Sequence, residues 1–401
     1  MPANLLYVAY PMRLDLTAAN AIQTYSTVRE LQEVMPGTLL VVPRWLRERS
    51  AFAQLGALHL PRPAVNKLSR FVPWAGWSYI ERTVYSAMLV LWLAARRLLG
   101  RGFGVLYVRD AVCAAWLAAS RPVHGAQLVY EVHDLESAHP SKASRWPRGF
   151  WARFLPWIDR RALRGSCQVV SLTEAFRQWA AKRNIRAADE IAVIPDAYDP
   201  ELYYPVDAAE ARRDLGLPEN VYIVGYSGLT FAYRRLDLLV EAFRCVASED
   251  PAALLVLVGG RPDEVKALRE QARELGIERN VVTTGQITQV EAGKYVSASD
   301  VLVIPDTVTG LTASPLKLFE YMAAGRPVVC KDMPALREIV DERAAVFFRP
   351  GDAAELGVAL AALRRDPERR EGMGRAAAEE AGQYTYRARA RKIAQVVEDC
   401  L

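Results

Sequence analysis

Residues 312–329, TASPLKLFEYMAAGRPVV, bring together groups suited to holding an anion. Ser314 is placed to cap a helix and Pro315 suits its first position. The helix then reads through Leu316 to Ala324, and Gly325 ends it. Lys317 falls in the first turn, and Glu320, three residues on, shares its face. Free amides at a helix start and a lysine beside them attract phosphate. A carboxylate one turn deeper can accept the two hydroxyls of a ribose. The same spacing also fits an exposed salt bridge, which contributes little. A second candidate is His133, in EVHD at the end of an apolar run over 128–133, where a strand's carboxyl edge meets a ligand cleft. A histidine satisfied within the fold is the plain alternative. His59 and His124 carry no motif.

These groups need a frame, and the frame is legible. Short apolar runs at 5–10, 38–42, 105–108, 128–133, 168–172 and 191–194 recur in the second half at 222–226, 254–258, 280–284, 301–304, 328–330 and 345–348. Nearly all are Val, Ile and Leu without in–out alternation, as in parallel strands buried on both faces. Amphipathic stretches such as 236–246 and 262–275 lie between them, and 386–397 is another. The rhythm is βαβ, run through twice. It predicts an α/β chain of two Rossmann-like doubly wound domains facing across a cleft. The expected division is an N-terminal domain over 1–195, a proline-broken linker over 196–218, a C-terminal domain over 219–383, and a last helix over 384–401 that returns to the N-terminal domain.

The chain has 401 residues, 51% hydrophobic and 24% charged, with net charge +5. Such composition suits a globular protein of two domains. No GxGxxG follows the first strand, which disfavours a standard NAD-binding half. No DxD occurs, so a metal clamp on a diphosphate has no obvious ligands, and no metal or cofactor is expected. Cys113, Cys167, Cys245, Cys330 and Cys400 are scattered without a CxxC pair. That spacing argues against a zinc site or disulfide framework and for a reducing cytosol. The opening MPANLLYVAYPMR reads as a strand rather than a leader, and no run reaches the ~20 apolar residues of a membrane span. Two segments, 70–99 and 145–164, mix tryptophans and phenylalanines with arginines. They suit peripheral contact with an anionic membrane face, or else aromatic packing within the fold. No nucleic-acid motif appears.

SPLKLFEYMAAGRPVV closely resembles the donor-site motif of the retaining GT-B glycosyltransferases of the GT4 family, in a sub-branch that keeps SPLKLFEYMA and lacks the first Glu of its Glu-x7-Glu pair. The second Glu falls on Glu320, which the resemblance assigns to the ribose. The first position is Thr312, so the contact to the donor sugar departs from the pattern. YSGLTFAYRRLDLLVEAF, residues 226–243, is similar to the family's strand, glycine turn and basic helix start. There Gly228 lets the backbone approach the donor. Arg234 stands where the family has its phosphate-binding lysine, with Arg235 the weaker substitute. His133 matches the family's histidine near the reacting sugar, and His139 does not.

TAANAIQ, residues 17–23, resembles the start of the acceptor loop and offers Asn20 and Gln23; SLTEAF, residues 171–176, offers Thr173 and Glu174 at the cleft. LVGG, residues 257–260, resembles the turn beneath the nucleotide base, and VIPDAYDPELYYP the linker. Together these matches imply a retaining, metal-independent transferase using a UDP- or GDP-sugar. Ser314, Pro315, Leu316 and Lys317 would line its donor site. His133, Arg234 and Lys317 would carry catalysis, on a small-molecule, glycan, lipid-linked or cell-envelope acceptor. The rival readings are a catalytically silent nucleotide-binding homologue and a nucleotide-sugar epimerase of the same fold.

Overall fold

The computed structural model describes residues 5–71, 74, 76–137, 150–306, 311, 312 and 314–401, which fall into two compact units. The first unit holds residues 1–195 and 386–401. Its strands are β1 (Leu5–Val8), β2 (Leu39–Arg44), β3 (Leu58–Pro61), β4 (Val105–Val108), β5 (Gln127–Val132), β6 (Gln168–Ser171) and β7 (Ile191–Val193). All seven pair in parallel in the order β3-β2-β1-β4-β5-β6-β7. Helices α1 (Ala19–Val34), α2 (Trp77–Leu98), α3 (Ala111–Ala119), α4 (Phe150–Gly165) and α5 (Glu174–Lys182) connect and cover them.

The second unit, residues 196–385, has strands β8 (Ile223–Ser227), β9 (Leu254–Val258), β10 (Val281–Gly285), β11 (Val301–Ile304), β12 (Val328–Lys331) and β13 (Ala345–Phe348). They pair in parallel in the order β10-β9-β8-β11-β12-β13. Its longer helices are α6 (Ala208–Leu215), α7 (Leu236–Glu249), α8 (Pro262–Glu274), α9 (Gln289–Ala298), α10 (Leu316–Ala323), α11 (Ala353–Arg365) and α12 (Pro367–Ala381). The last helix, α13 (Tyr386–Glu398), belongs to the first unit. There Ala390, Ile393, Ala394 and Val397 share a core with Leu5, Tyr7, Val28 and Leu31. Burying a large aliphatic side chain is worth about 1.5–3 kcal/mol, so Ile393 and Val397 hold α13, with Ala390 and Ala394 letting it pack closely.

Both units are thus doubly wound parallel sheets of Rossmann type. Each changes winding direction once, between β1 and β4 in the first and between β8 and β11 in the second. A crevice opens at such a point because the loops on either side diverge.

Three sequence expectations change. The short edge strand β3 reads LHLP, half-exposed and ended by Pro61, and so lacks the apolar run that marks its neighbours. The stretch 196–218 contains helix α6, with Asp207 accepting the Glu210 amide at its start and Gly216 in the left-handed conformation at its end. Cys167 and Cys400 form a disulfide within the first unit, against the reading of five unpaired cysteines. They stand 233 residues apart, and only the return of α13 beside β6 brings them together. Among the described residues no helix is long and apolar enough to cross a membrane.

Candidate active site

The second unit's crevice begins where β8 ends at Ser227. Gly228 follows with φ +133°, a conformation that favours glycine. A side chain there would also collide with Lys317, whose Nζ lies 2.9 Å from where a Cβ would stand. Gly259, at the end of β9, is needed for the same reason: a Cβ on it would fall 2.2 Å from the Gly228 carbonyl oxygen. The two glycines let the backbones close under the site. Helix α10 is tied to β8 through Tyr321, whose hydroxyl accepts the Ser227 amide at 2.8 Å and donates to the Ser227 carbonyl at 3.2 Å. This clamp fixes the first turn of α10, and with it Lys317, over the strand end.

Lys317 is buried, with Nζ 3.7 Å from the centre of the Tyr226 ring. The ring face attracts the ammonium but offers no hydrogen-bond acceptor of ordinary strength. Among the described residues Nζ has no hydrogen-bond partner, and neither does the buried Nε of Arg234. Arg234 closes a single 3-10 turn, Ala232–Arg234, and its guanidinium lies over the Tyr233 ring. Burial and the Arg234 charge hold the Lys317 amine well below its usual range, against the pull of Glu320. Burial pushes the Glu320 carboxyl up to about 7, opposed by Lys317 and by a hydrogen bond from Tyr203. Two basic groups and one reluctant carboxylate therefore stand together at the end of β8, an arrangement that a phosphate would relieve.

Arg235 turns away, with φ +53° and an ion pair to Asp237 at 3.1 Å on the surface. The start of α10 differs from its sequence reading. Pro315, extended at ψ 121°, is the cap residue, and no side chain caps the helix. Ser314 instead accepts the Asp196 amide at 2.9 Å, because the chain leaving β7 passes beside it. Thr312 is buried next to it, and Leu316 is half-buried.

The first unit's crevice is a cavity of about 240 Å³ lined by Tyr10, Asn20, Thr24, Arg109 and His133, among others. Beneath it lies Glu131, fully buried. His133 Nε2 is 2.6 Å from Glu131 Oε1, and Arg109 Nε lies 3.2 Å from the same oxygen. Tyr107 donates to Oε2, as does Arg389 of α13 at 2.6 Å. Burial pushes the Glu131 carboxyl up, but Arg389, Arg109 and His133 outweigh it and hold it well below the carboxylate range. Burial and Arg109 hold His133 below its usual value. Arg109 also donates to Gln23 and Thr24, and its Nη2 lies 2.9 Å from His133 Nε2.

The remaining acceptor-side residues have local duties. Gln23 is buried beneath Arg109 rather than presented to a ligand. The Asn20 side chain is exposed at the cavity rim, and its carbonyl accepts the Thr24 hydroxyl at 2.7 Å. Thr173 is a buried N-cap of α5 that accepts the Phe176 amide at 3.2 Å, and Glu174 pairs with Arg177 at 2.6 Å. Sequence reasoning missed Arg109, Tyr226, Tyr321 and Arg389. Arg109 alone carried a signal, its place directly after β4. Among the described residues no cluster of three or more metal-ligating side chains occurs.

The aromatic segments pack largely inward. Trp151 is buried and meets Trp74, Tyr79 and Phe154 at ring distances of 5.6, 5.7 and 5.4 Å. His139 and residues 145–149, Trp146 included, lie outside the described residues.

Two family models match in series. Glycosyltransferase Family 4 matches residues 44–202, and Glycosyl transferases group 1 matches residues 207–380. A D-inositol 3-phosphate glycosyltransferase of Stackebrandtia nassauensis is 28% identical over 288 residues, covering 68% of this chain and 62% of that protein. The chain therefore spans less than two thirds of the length of this curated relative. Among solved structures, Anabaena Alr3699/HepE in complex with UDP superposes with TM-score 0.75 at 18% identity, over 99% of this chain and 100% of that one. Sucrose-phosphate synthase from Thermosynechococcus elongatus gives TM-score 0.76 at 18% identity, over 99% and 98% of the two chains. These two similarities are of fold.

Proposed function

We infer that this chain, which belongs with the GT-B glycosyltransferases of group 1 and family 4-like type, moves a sugar from a nucleoside diphosphate to an acceptor hydroxyl with retention and without a metal. The observation that carries this reading is the buried Lys317 amine, seated on Gly228 and Tyr226 with Arg234 beside it and no hydrogen-bond partner among the described residues. A buried amine without a hydrogen-bond partner is costly, and a diphosphate, which favours its charged form, is the ligand that offsets the cost. Arg234, Lys317 and the first amides of α10 then stabilise the charge that grows on the departing diphosphate. Glu320 accepts the ribose hydroxyls, and Thr312 and Ser314 shape the wall next to the sugar. Gly228 lets the phosphates approach the backbone. His133, at the carboxyl edge of β5, meets the sugar. The leaving phosphate takes the acceptor's proton on the same face, so no carboxylate nucleophile is required.

UDP is the donor nucleotide we favour, in line with the UDP complex of the Anabaena protein. For the acceptor we favour a lipid-linked or cell-envelope glycan at an anionic membrane face. Support comes from the far end of the first unit, where Arg97, Arg121, Arg161 and Arg164 line one hollow and Leu98 and Leu99 are 89% and 71% exposed. Inositol 3-phosphate, named in the curated relatives, is the competing acceptor.

Calorimetry and thermal shift with UDP, GDP, ADP and TDP, each with and without EDTA, test the donor site. The expected result is saturable binding of UDP, unchanged by EDTA and abolished in Glu320→Ala. Binding without turnover of any UDP-sugar identifies a silent homologue. Conversion of the donor without an acceptor identifies an epimerase. Failure of all four nucleotides to bind overturns the reading. Sedimentation with anionic liposomes at low salt tests the membrane contact, and a protein left wholly in the supernatant refutes it.

A further inference from the structure

We propose that Arg389, on the last helix of the first unit, is a positioning residue for His133, acting through the Glu131 carboxylate. The proposal rests on the transferase reading, in which His133 faces the sugar.

The geometry is specific. Arg389 is 3% exposed and Glu131 fully buried. One guanidinium nitrogen of Arg389, Nη2, meets Glu131 Oε2 at 2.6 Å. The other, Nη1, donates to the Ile194 carbonyl at 2.8 Å and the Pro195 carbonyl at 2.5 Å, at the last residues before the chain crosses to the second unit. Arg389 thus grips one oxygen of Glu131, and His133 with Arg109 takes the other. With Oε2 held by Arg389 and Tyr107, the carboxylate cannot rotate. Oε1 is fixed under His133 and holds the ring through Nε2, at the wall of the cavity.

The charges around His133 come from every neighbouring element. They are Glu131 on β5, Arg109 after β4, Arg389 on α13, and the hydroxyls of Tyr107 on β4 and Tyr7 on β1, with Asp110, Asp134 and Glu136 lining the same cavity. One carboxylate between two guanidinium groups leaves the hub a net cation. Burial first, and then that charge, favour the neutral imidazole, with Nε2 held between the Glu131 carboxylate and the Arg109 guanidinium. Removing Arg389 frees Glu131 to turn and removes a positive charge from the vicinity of His133.

A purely structural role predicts something different: α13 would loosen, and the ring would be indifferent. The test compares wild type, Arg389→Met, Arg389→Lys and the double variant Glu131→Gln/Arg389→Met, with His133→Gln to assign the imidazole signals. Two quantities are read. One is the pH titration of the His133 ring nitrogens by NMR on the protein alone. The other is kcat and KM for release of UDP from UDP-glucose.

In Arg389→Met the His133 titration should move to higher pH, and kcat should fall about 10- to 100-fold at unchanged KM, the usual cost of losing a group that orients a functional histidine. Arg389→Lys should recover part of both. If Arg389→Met does not fold, the double variant removes both charges of the pair and avoids a lone buried carboxylate. It should bind UDP as wild type does and still show the lowered kcat. A His133 titration and kcat equal to wild type in either folded variant overturns the proposal. If wild type turns over no nucleotide sugar at all, the transferase reading fails. The His133 titration then still decides whether Arg389 acts on the ring.

Discussion

The two crevices are built from the same materials and finished in opposite ways. In the first unit Glu131 is buried under two arginines, a tyrosine and a histidine, and both of its oxygens are occupied. In the second unit Lys317 and Arg234 are brought together at α10 and left with unpartnered nitrogens among the described residues. Burying charge costs several kcal/mol per ion unless hydrogen bonds answer it. The first unit answers the Glu131 carboxylate internally and gains a rigid platform. The second leaves the Lys317 amine unanswered and gains affinity for an anion. A carboxylate with both oxygens engaged orients its neighbours, and an amine without a hydrogen-bond partner suits a ligand.

The largest effect expected from this contrast is on stability. Glu131→Ala should leave Arg389 and Arg109 buried without their carboxylate and cost about 3–5 kcal/mol. Lys317→Met should do the reverse, leaving the free protein unchanged or stabilising it by about 1–3 kcal/mol, the desolvation cost of an unsatisfied buried group. Urea unfolding of the two variants, without nucleotide, measures both. A destabilised Lys317→Met would mean that the amine already has its partner, and the contrast would fail.

The next effect is on turnover. Lys317→Ala and Arg234→Ala should each lower the rate at saturating UDP-glucose by about 10²-fold or more, as loss of one donor to a developing oxyanion does. Arg235→Ala should stay near wild type, because that guanidinium is engaged with Asp237 on the surface. Equal losses at Arg234 and Arg235 would show that the turn at Ala232–Arg234, rather than one guanidinium, is what matters.

The two crevices were also unequally legible. In the second, Gly228, Lys317 and Glu320 sit within local motifs whose spacing reflects strand ends and helix turns, and the structure gathers them with Arg234. What escaped was the support: Tyr321 reaches Ser227 from 94 residues away, and Tyr226 shows its ring face only once β8 and α10 are placed. In the first, His133 stands at a strand end as its position predicts, but its partners come from β4 and α13. Arg389 lies 258 residues beyond Glu131. No periodicity carries such a pairing, and the Cys167–Cys400 disulfide was hidden by the same return of α13. The parallel strands were read from apolar runs, and β3 was lost because an exposed edge does not need one. Ser314 was read as a helix cap because serine commonly serves as one, and the neighbouring Asp196 amide took its hydroxyl instead.

The smallest effect separates the two regions by pH. Burial pushes the Glu320 carboxyl up to about 7, from an ordinary value of 4.5. Between those values the folded, empty site holds a proton that the unfolded chain has lost, so its contribution to stability falls as pH rises toward 7. Binding runs the other way. Only the ionised carboxylate accepts both ribose hydroxyls, so UDP affinity should weaken as pH drops through 7, approaching a factor of about ten per unit well below it. Calorimetry between about pH 5.5 and 7.5, in buffers of different ionisation enthalpy, should show a proton released on binding at the lower end. Glu320→Gln should reduce that dependence and that release to the share that the terminal phosphate of UDP contributes with its own pKa of about 6. The Glu131 hub titrates far below this window, because Arg389 and Arg109 hold it ionised, so Glu131→Gln should leave the pH dependence of UDP binding as in wild type. A proton release as large in Glu320→Gln as in wild type would place the titrating group elsewhere and remove Glu320 from the ribose.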